Sequence, residues 1–162
     1  MAAHEYYMPT NWRVKADIWE VYEICSDFEG YARWWPEVYL GIHVAGKDAE
    51  TGNDVFAILS KGKLPYKLRW TSCKTAENAP HALSLKAAGD LAGRGTWKFE
   101  QDGEYVNIRF DWYVNADKPL LKYLSPILKP VFRSNHYWAM DRGKESLDRE
   151  LARRHKAKVS NL

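Results

Sequence analysis

The sequence has few cysteines and no long apolar run, and each shortage excludes a class of protein. Its 162 residues include only two cysteines, Cys25 and Cys73, which lie 48 positions apart and form no CxxC pair. This spacing excludes a zinc or thioredoxin signature, so we expect two buried, reduced thiols and a cytoplasmic location. No apolar run approaches the roughly 18 residues of a membrane span. No basic stretch followed by an apolar one opens the chain, so we expect neither stable membrane insertion nor a signal peptide.

Motifs for metal, phosphate and nucleophilic chemistry are also missing. The five histidines show no HxxxH or HExxH spacing, and the chain has no GxSxG, GxGxxG or GKS/T motif. Each of these spacings is needed to bring the reacting or binding groups together on one element. We therefore expect no metal, no cofactor and no nucleophile of the hydrolase-elbow type.

Positive charge is concentrated at one end of the chain. The net charge is +3, but residues 149–158 hold five basic residues and one acidic residue, so the rest of the chain carries −1. Basic residues in a last helical turn are favoured by the helix dipole, which predicts a solvated helical tail from about residue 152. Because no basic face is visible elsewhere, we expect no nucleic-acid partner.

Aromatic residues, by contrast, are abundant. The chain has 8 Trp, 10 Tyr and 5 Phe, which together make 14% of its residues. Disordered chains are poor in aromatics, and a folded chain of this length buries about 70% of its extended surface. We therefore expect a single domain over residues 1–162 with a large core.

Hydrophobic periodicity predicts the order of the elements. A first strand over residues 6–15, interrupted early by Pro9, precedes an amphipathic helix over residues 17–28 with Asp17 as its N-cap and Gly30 as its C-cap. From residue 37 to 116 the pattern changes to two-residue alternation separated by turn residues. That pattern is typical of an antiparallel meander of about six strands with one buried face.

The last 45 residues are predicted to be helical. Pro119, Pro126 and Pro130 disfavour a continuous helix before residue 130, so we expect a short broken piece over 118–128 and a long helix over about 130–155. The apolar face of a curved sheet must be covered, and the long helix is the element large enough to cover it. We therefore predict an α+β fold in which the sheet wraps around this helix. His136 and Gly143 lie on the inward helix face where larger hydrocarbons would fill the gap, so we expect a cavity there.

Five stretches of this sequence carry a resemblance to a known family. They are residues 16–19, 31–36, 89–97, 110–114 and 132–140. Together they resemble the START-like SRPBCC superfamily, in its polyketide cyclase/dehydrase and lipid-transport branch. The resemblance implies the helix-grip fold, with six to seven strands, one or two short helices after the first strand, and a ligand cavity between the sheet and the C-terminal helix.

The candidate site residues combine aromatic pairs on strand faces with the inward face of the long helix. His136 is the candidate catalytic acid or base, because imidazole exchanges a proton near neutral pH. The residues we predict to bind a ligand are Tyr31, Trp35, Tyr66, Trp70, Trp97, Phe110, Trp112, Phe132, Asn135, His136 and Ala139. Each of the aromatic residues has an alternative role in ordinary core packing. Asn135 has an alternative role in fixing the helix to a neighbouring loop, and the loop at residues 62–65 is a candidate gate.

Three functions are consistent with these residues. The first is binding of a small hydrophobic or aromatic ligand, lipid-like or polyketide-like, with His136 setting its orientation. The second is a cyclase or dehydratase in which positioning and one acid/base group supply the rate. The third is a protein-interaction module that has no ligand. The sequence indicates neither the ligand nor the oligomeric state.

Overall fold

The fold is one antiparallel sheet that curves around a long C-terminal helix. The structure, a computed structural model, describes residues 5–116 and 125–161. The strands are β1 (Glu5–Lys15), β2 (Tyr39–Lys47), β3 (Asp54–Lys61), β4 (Lys67–Asn78), β5 (Ala82–Gly89), β6 (Leu91–Asp102) and β7 (Tyr105–Ala116). The helices are α1 (Ile18–Ser26), α2 (Tyr31–Trp34) and α3 (Ser125–Ser160), with a 3-10 turn at Phe28–Gly30. Within the described residues the strand order is β1-β7-β6-β5-β4-β3-β2, which confirms the predicted helix-grip class.

The first helix begins as predicted and ends earlier. The Asp17 carboxylate accepts a hydrogen bond from the Trp19 N–H at 3.0 Å, which confirms its role as N-cap. The expected end near Gly30 is wrong, because α1 stops at Ser26 and Asp27 starts a separate 3-10 turn. The Asp27 side chain accepts from the Gly30 N–H at 3.3 Å, so Gly30 is bonded within that turn.

Pro9 does not interrupt the first strand. β1 runs through it without a break, paired with β7 from Glu5↔Asn115 to Lys15↔Tyr105. β1 lies at an edge of the sheet, and a proline is tolerated on an edge strand when its nitrogen faces away from the partner strand. Side chains of α3 cover this edge: Tyr137 donates to the Pro9 carbonyl at 3.2 Å and Arg133 donates to the Tyr7 carbonyl at 2.9 Å. These contacts also fix α3 along the edge.

The long helix begins earlier than predicted. It runs from Ser125 to Ser160 with Pro130 inside it, so the expected break before residue 130 is wrong. Pro130 lies in the second turn, where the lost N–H removes a single bond close to the helix start. Residues 118–124 of the predicted broken piece lie outside the described residues, whereas 125–128 belong to α3.

The aromatic residues join the strands to the corner that follows α2. Six rings form a continuous chain of contacts with successive centroid distances between 4.4 and 6.0 Å. In order, they belong to Trp35, Trp12, Trp97, Phe110, Trp112 and Trp70. Aromatic pairs in tilted or offset geometry contribute about 0.5–1.5 kcal/mol beyond the burial of their surface. The chain therefore links the α2 corner with β1, β6, β7 and β4.

Trp35 occupies the space that the absence of a side chain at Gly143 leaves free. A Cβ built on Gly143 would lie 2.3 Å from Cζ2 of the indole, and Trp35 is only 2% exposed. The indole Nε1 also donates to the Ala139 carbonyl one turn earlier, at 3.2 Å. The expected gap at Gly143 is therefore wrong, because an aromatic side chain from the α2 corner fills it.

A second link joins α2 to the far half of α3. The buried carboxylate of Glu150 accepts hydrogen bonds from Arg33 at 2.8 Å, from Arg153 at 2.7 Å and from Arg154 at 3.4 Å. Burial alone would raise the pKa of Glu150, but the bonds from Arg153 and Arg33 outweigh it and lower that pKa to about 2. Glu150 is therefore ionised and fully hydrogen-bonded at neutral pH.

The first prediction concerns Gly143→Ala. The added methyl collides with the buried indole of Trp35, which must shift. We expect a loss of about 1–3 kcal/mol in the free energy of unfolding, as for overpacked cores, despite the better helix propensity of alanine. Urea unfolding measures this loss in the free energy of unfolding. Gly41→Ala is the control, since its Cβ meets nothing within 4 Å. An unchanged stability in Gly143→Ala would contradict the packing described here.

The second prediction concerns Glu150→Gln. At pH 7 we expect the variant to lose about 2 kcal/mol, because charge-assisted hydrogen bonds are removed. The folded-state pKa is depressed, so the carboxylate stabilises the fold above its unfolded pKa of about 4.3 and ceases to do so as pH falls toward 2. The difference in the free energy of unfolding between wild type and variant, measured by urea titration, should therefore narrow from pH 5 to pH 2. Glu145→Gln, whose partner Arg142 lies on the same helix, is the control; a gap of constant size would argue against the pairing.

Candidate functional site

A cavity of about 110 Å³ lies between the concave face of the sheet and α3. Its walls come from all seven strands, from the segment around α2, and from one face of α3. Most of the lining side chains are aromatic or aliphatic. The cavity thus lies within the core that the chain of aromatic rings forms.

Ten of the eleven residues predicted to bind a ligand line this cavity. They are Tyr31, Trp35, Trp70, Trp97, Phe110, Trp112, Phe132, Asn135, His136 and Ala139. Strand parity placed the sheet residues and the helical wheel placed those of α3. Their contact with a ligand stays a prediction.

Tyr66 is the exception and lies outside the cavity lining. The alternation of β4 placed it on the same face as Trp70, but the strand begins only at Lys67. Tyr66 therefore belongs to the preceding loop, where strand parity does not apply. Its hydroxyl is buried without a hydrogen-bond partner, and burial, with the nearby Tyr6, raises its pKa.

The sequence analysis missed several lining residues. They are Met8, Phe28, Val38, Tyr39, Ile42, Ile58, Ser60, Lys61, Gly62, Leu68, Ser72, Leu85, Leu91 and Met140. The parity of Trp70 on β4 was a sufficient signal for Leu68 and Ser72, which share its face. No comparable signal marks β3, whose run of apolar residues does not alternate with polar ones.

Two hydrogen bonds hold the polar lining groups on the sheet and the helix. Trp70 donates its indole N–H to the Ser60 hydroxyl at 2.9 Å, from β4 to β3. The Asn135 carbonyl oxygen accepts from the Leu64 N–H at 3.1 Å. A Cβ on Gly62 would lie 2.2 Å from that same oxygen, so glycine allows the loop to approach α3. Asn135 therefore fixes the β3–β4 loop against α3 at one end of the cavity. This is the alternative role that the sequence predicted for it.

His136 stands one turn after Phe132 on the inward face of α3. Burial, aided by the positive charge of Arg133, lowers its pKa to about 4. Its Nε2 is buried and has no hydrogen-bond partner. The imidazole is therefore neutral at pH 7 and has an unused hydrogen-bonding atom. Because Nε2 has no titratable neighbour within hydrogen-bonding distance, a proton relay to it is not built, and the catalytic role of His136 stays a prediction.

The size of the cavity limits what enters it. An engineered apolar cavity of about 150 Å³ binds benzene, whereas pockets for drug-sized ligands measure about 300–1,000 Å³. At about 110 Å³ the cavity in this conformation matches a single small ring. A larger polyketide-like or lipid-like molecule would require the β3–β4 loop or α3 to move outward.

Among residues 5–116 and 125–161, no three His, Cys, Asp or Glu side chains are grouped so as to hold a metal ion. In these same residues, no helix combines the length and apolarity needed to cross a membrane.

A family model matches most of the chain. Residues 11–152 match the family model described as polyketide cyclase / dehydrase and lipid transport. No curated protein is significantly similar in sequence to this chain.

Solved structures share the fold at low sequence identity. A START superfamily protein from Mycobacterium smegmatis has a TM-score of 0.70 at 10% identity, covering 91% of this chain and 97% of its own. The Zhui aromatase/cyclase from Streptomyces sp. R1128 has a TM-score of 0.66 at 17% identity, covering 93% and 96%. A third protein, TTHA0849 from Thermus thermophilus, also scores 0.66 at 17% identity, covering 87% and 96%. At these identities the likeness establishes the fold alone.

The third prediction concerns His136→Leu. His136 is half-buried, but its Nε2 atom is buried and lacks a hydrogen-bond partner, so removing this atom should raise the free energy of unfolding by about 1 kcal/mol at pH 7. The wild-type imidazole has a folded pKa below its unfolded value of 6.5, so wild type loses stability as pH falls from 6.5 toward 4. The advantage of the variant should therefore widen over that interval.

Thermal and urea unfolding at pH 7, 6, 5 and 4 measure this difference. His43→Leu, on an exposed position of β2, controls for the substitution itself. A variant less stable than wild type at every pH would show that His136 makes a hydrogen bond of structural value.

Proposed function

We propose that this chain, which belongs to the polyketide cyclase/dehydrase and lipid transport family, binds a small hydrophobic or aromatic ligand between its sheet and α3. The observation that carries the proposal is the cavity of about 110 Å³ in the middle of an aromatic core. A ligand that enters this cavity removes its own apolar surface from water, at about 25 cal/mol per Å². It also gains dispersion contacts with the surrounding rings.

The arrangement of the lining supports binding of a flat molecule. Trp97, Phe110 and Trp112 form one wall on the sheet, and Phe132 and Ala139 form the opposite wall on α3. Ring faces of this kind bury much apolar surface at small cost in conformational freedom. We propose that the ten lining residues predicted from the sequence are the ligand-binding set, with His136 orienting the ligand.

The enzymatic alternative has less support. A cyclase or dehydratase would need His136 to give or take a proton, yet its Nε2 has no hydrogen-bond partner and its pKa is depressed to about 4. General acid/base groups work best when their pKa lies near the operating pH. One neighbour in fold is named an aromatase/cyclase, but at 17% identity its activity is not transferable. We therefore favour binding without turnover.

The fourth prediction tests the cavity as the binding site. Toluene added to the wild-type protein should shift the NMR signals of the cavity tryptophans, with saturation. Ala139→Phe should abolish this binding because the new ring fills the cavity, and Ala139→Leu should weaken it. Ala152→Phe, on the exposed side of the same helix, should leave it intact.

Circular dichroism and thermal unfolding would show that each variant is folded. Native mass spectrometry of the purified protein would detect a co-purified ligand independently. Absence of both toluene binding and any co-purified ligand would overturn the proposed function. Binding that survives in Ala139→Phe would place the ligand elsewhere.

A further inference from the structure

The described lining of the cavity is almost without charge. Of the described lining residues, Lys61 and His136 alone have side chains that can carry a charge. Lys61 ends β3 and is exposed, so its ammonium group is solvated. His136 is uncharged at neutral pH, because burial and the positive charge of Arg133 lower its pKa to about 4. Apart from the solvated ammonium group of Lys61, a ligand in the cavity therefore finds no counter-ion on the described walls.

The polar groups of the lining differ in how well they are satisfied. The indole N–H groups of Trp35 and Trp70 are already used by the Ala139 carbonyl and the Ser60 hydroxyl. The Asn135 oxygen is used by the Leu64 N–H. Among the described lining residues, Nε2 of His136 is the one buried side-chain nitrogen or oxygen atom without a partner.

An unsatisfied atom at this place has a specific consequence for a ligand. Leaving a buried polar atom without a partner costs about 1–3 kcal/mol, and a ligand that supplies the partner recovers part of this cost. The imidazole borders the cavity, and its χ2 torsion is soft, so rotation about this bond can turn a ring nitrogen toward a bound molecule. Neutral imidazole bonds a hydroxyl group equally well as donor or acceptor.

We propose that the ligand is an uncharged ring compound whose hydroxyl group hydrogen-bonds to His136, and that anionic amphiphiles such as fatty acids and phospholipids are rejected. The proposal rests on the proposed function and names its ligand class. A carboxylate or phosphate transferred into this cavity would lose its hydration and gain no countercharge, a cost far above that of a neutral hydroxyl. Ligand selection thus comes from the scarcity of charge on the described walls, together with the unpaired Nε2 of His136.

The test compares three ring probes, toluene, p-cresol and 4-methylbenzoate, and uses 4-methylbenzamide, which has the size of 4-methylbenzoate without its charge, to separate the effect of charge from that of size. At pH 7 p-cresol is neutral, since phenols have a pKa of about 10, and 4-methylbenzoate is anionic. NMR titration of the wild-type protein should show p-cresol binding about 3–10-fold more tightly than toluene, the value of one net hydrogen bond. It should show 4-methylbenzoate binding at least 10-fold more weakly than toluene.

His136→Leu separates the hydrogen bond from the shape of the cavity. In this variant the ratio of the p-cresol affinity to the toluene affinity should fall to about one, whatever the substitution does to toluene binding itself. If 4-methylbenzoate binds the wild-type protein as tightly as toluene or more tightly, the proposal is overturned and the proposed function stands. A preference for p-cresol that survives in His136→Leu would overturn the role of His136. Failure of every probe would overturn the proposal, and the proposed function as well where no ligand co-purifies with the protein.

Discussion

The contact between Trp35 and the bare backbone at Gly143 sets the distance between the long helix and the sheet. Glycine lets the indole rest on α3, and the bond from Nε1 to the Ala139 carbonyl fixes its angle. The same indole touches Trp12 on β1, which in turn touches Trp97 on β6. One side chain therefore joins the α2 corner, the helix and the sheet, and the cavity is the space that remains beside this contact.

The remaining links between helix and sheet act at a distance from that contact. Near the start of α3, Arg133 and Tyr137 donate to carbonyl groups along the free edge of β1. Near its far end, Arg33 of α2 binds the buried Glu150. The helix is thus held on both sides of the cavity, and the wall that Phe132, His136 and Ala139 form cannot simply collapse onto the sheet. This explains physically how a void persists in a core rich in large side chains.

Periodicity predicted the strands and the inward face of α3, because burial on one face imposes the period of two or 3.6 on the residues themselves. It failed where a local rule depends on the tertiary position of the residue. A proline breaks a central strand but not an edge strand, so Pro9 is tolerated in β1. Pro130 is tolerated because it lies close to the start of α3. The sequence alternation of β4 extends to Tyr66, yet this residue lies outside the strand. The partner of Gly143 comes from a distant segment, so no local pattern reveals that Trp35 fills its space.

Two features that favour a ligand coincide on one face of α3. This face borders the ring-lined cavity, and it carries His136, whose buried Nε2 has no hydrogen-bond partner; a core shaped for stability alone would carry a leucine at this position. One event matches both features, the entry of a ring compound with a hydroxyl group. Because the solvated ammonium group of Lys61 is the only countercharge on the described walls, the entry of an anion of equal shape is disfavoured. The specificity that follows is therefore built from desolvation, since a neutral ligand leaves water at small cost and an ion does not.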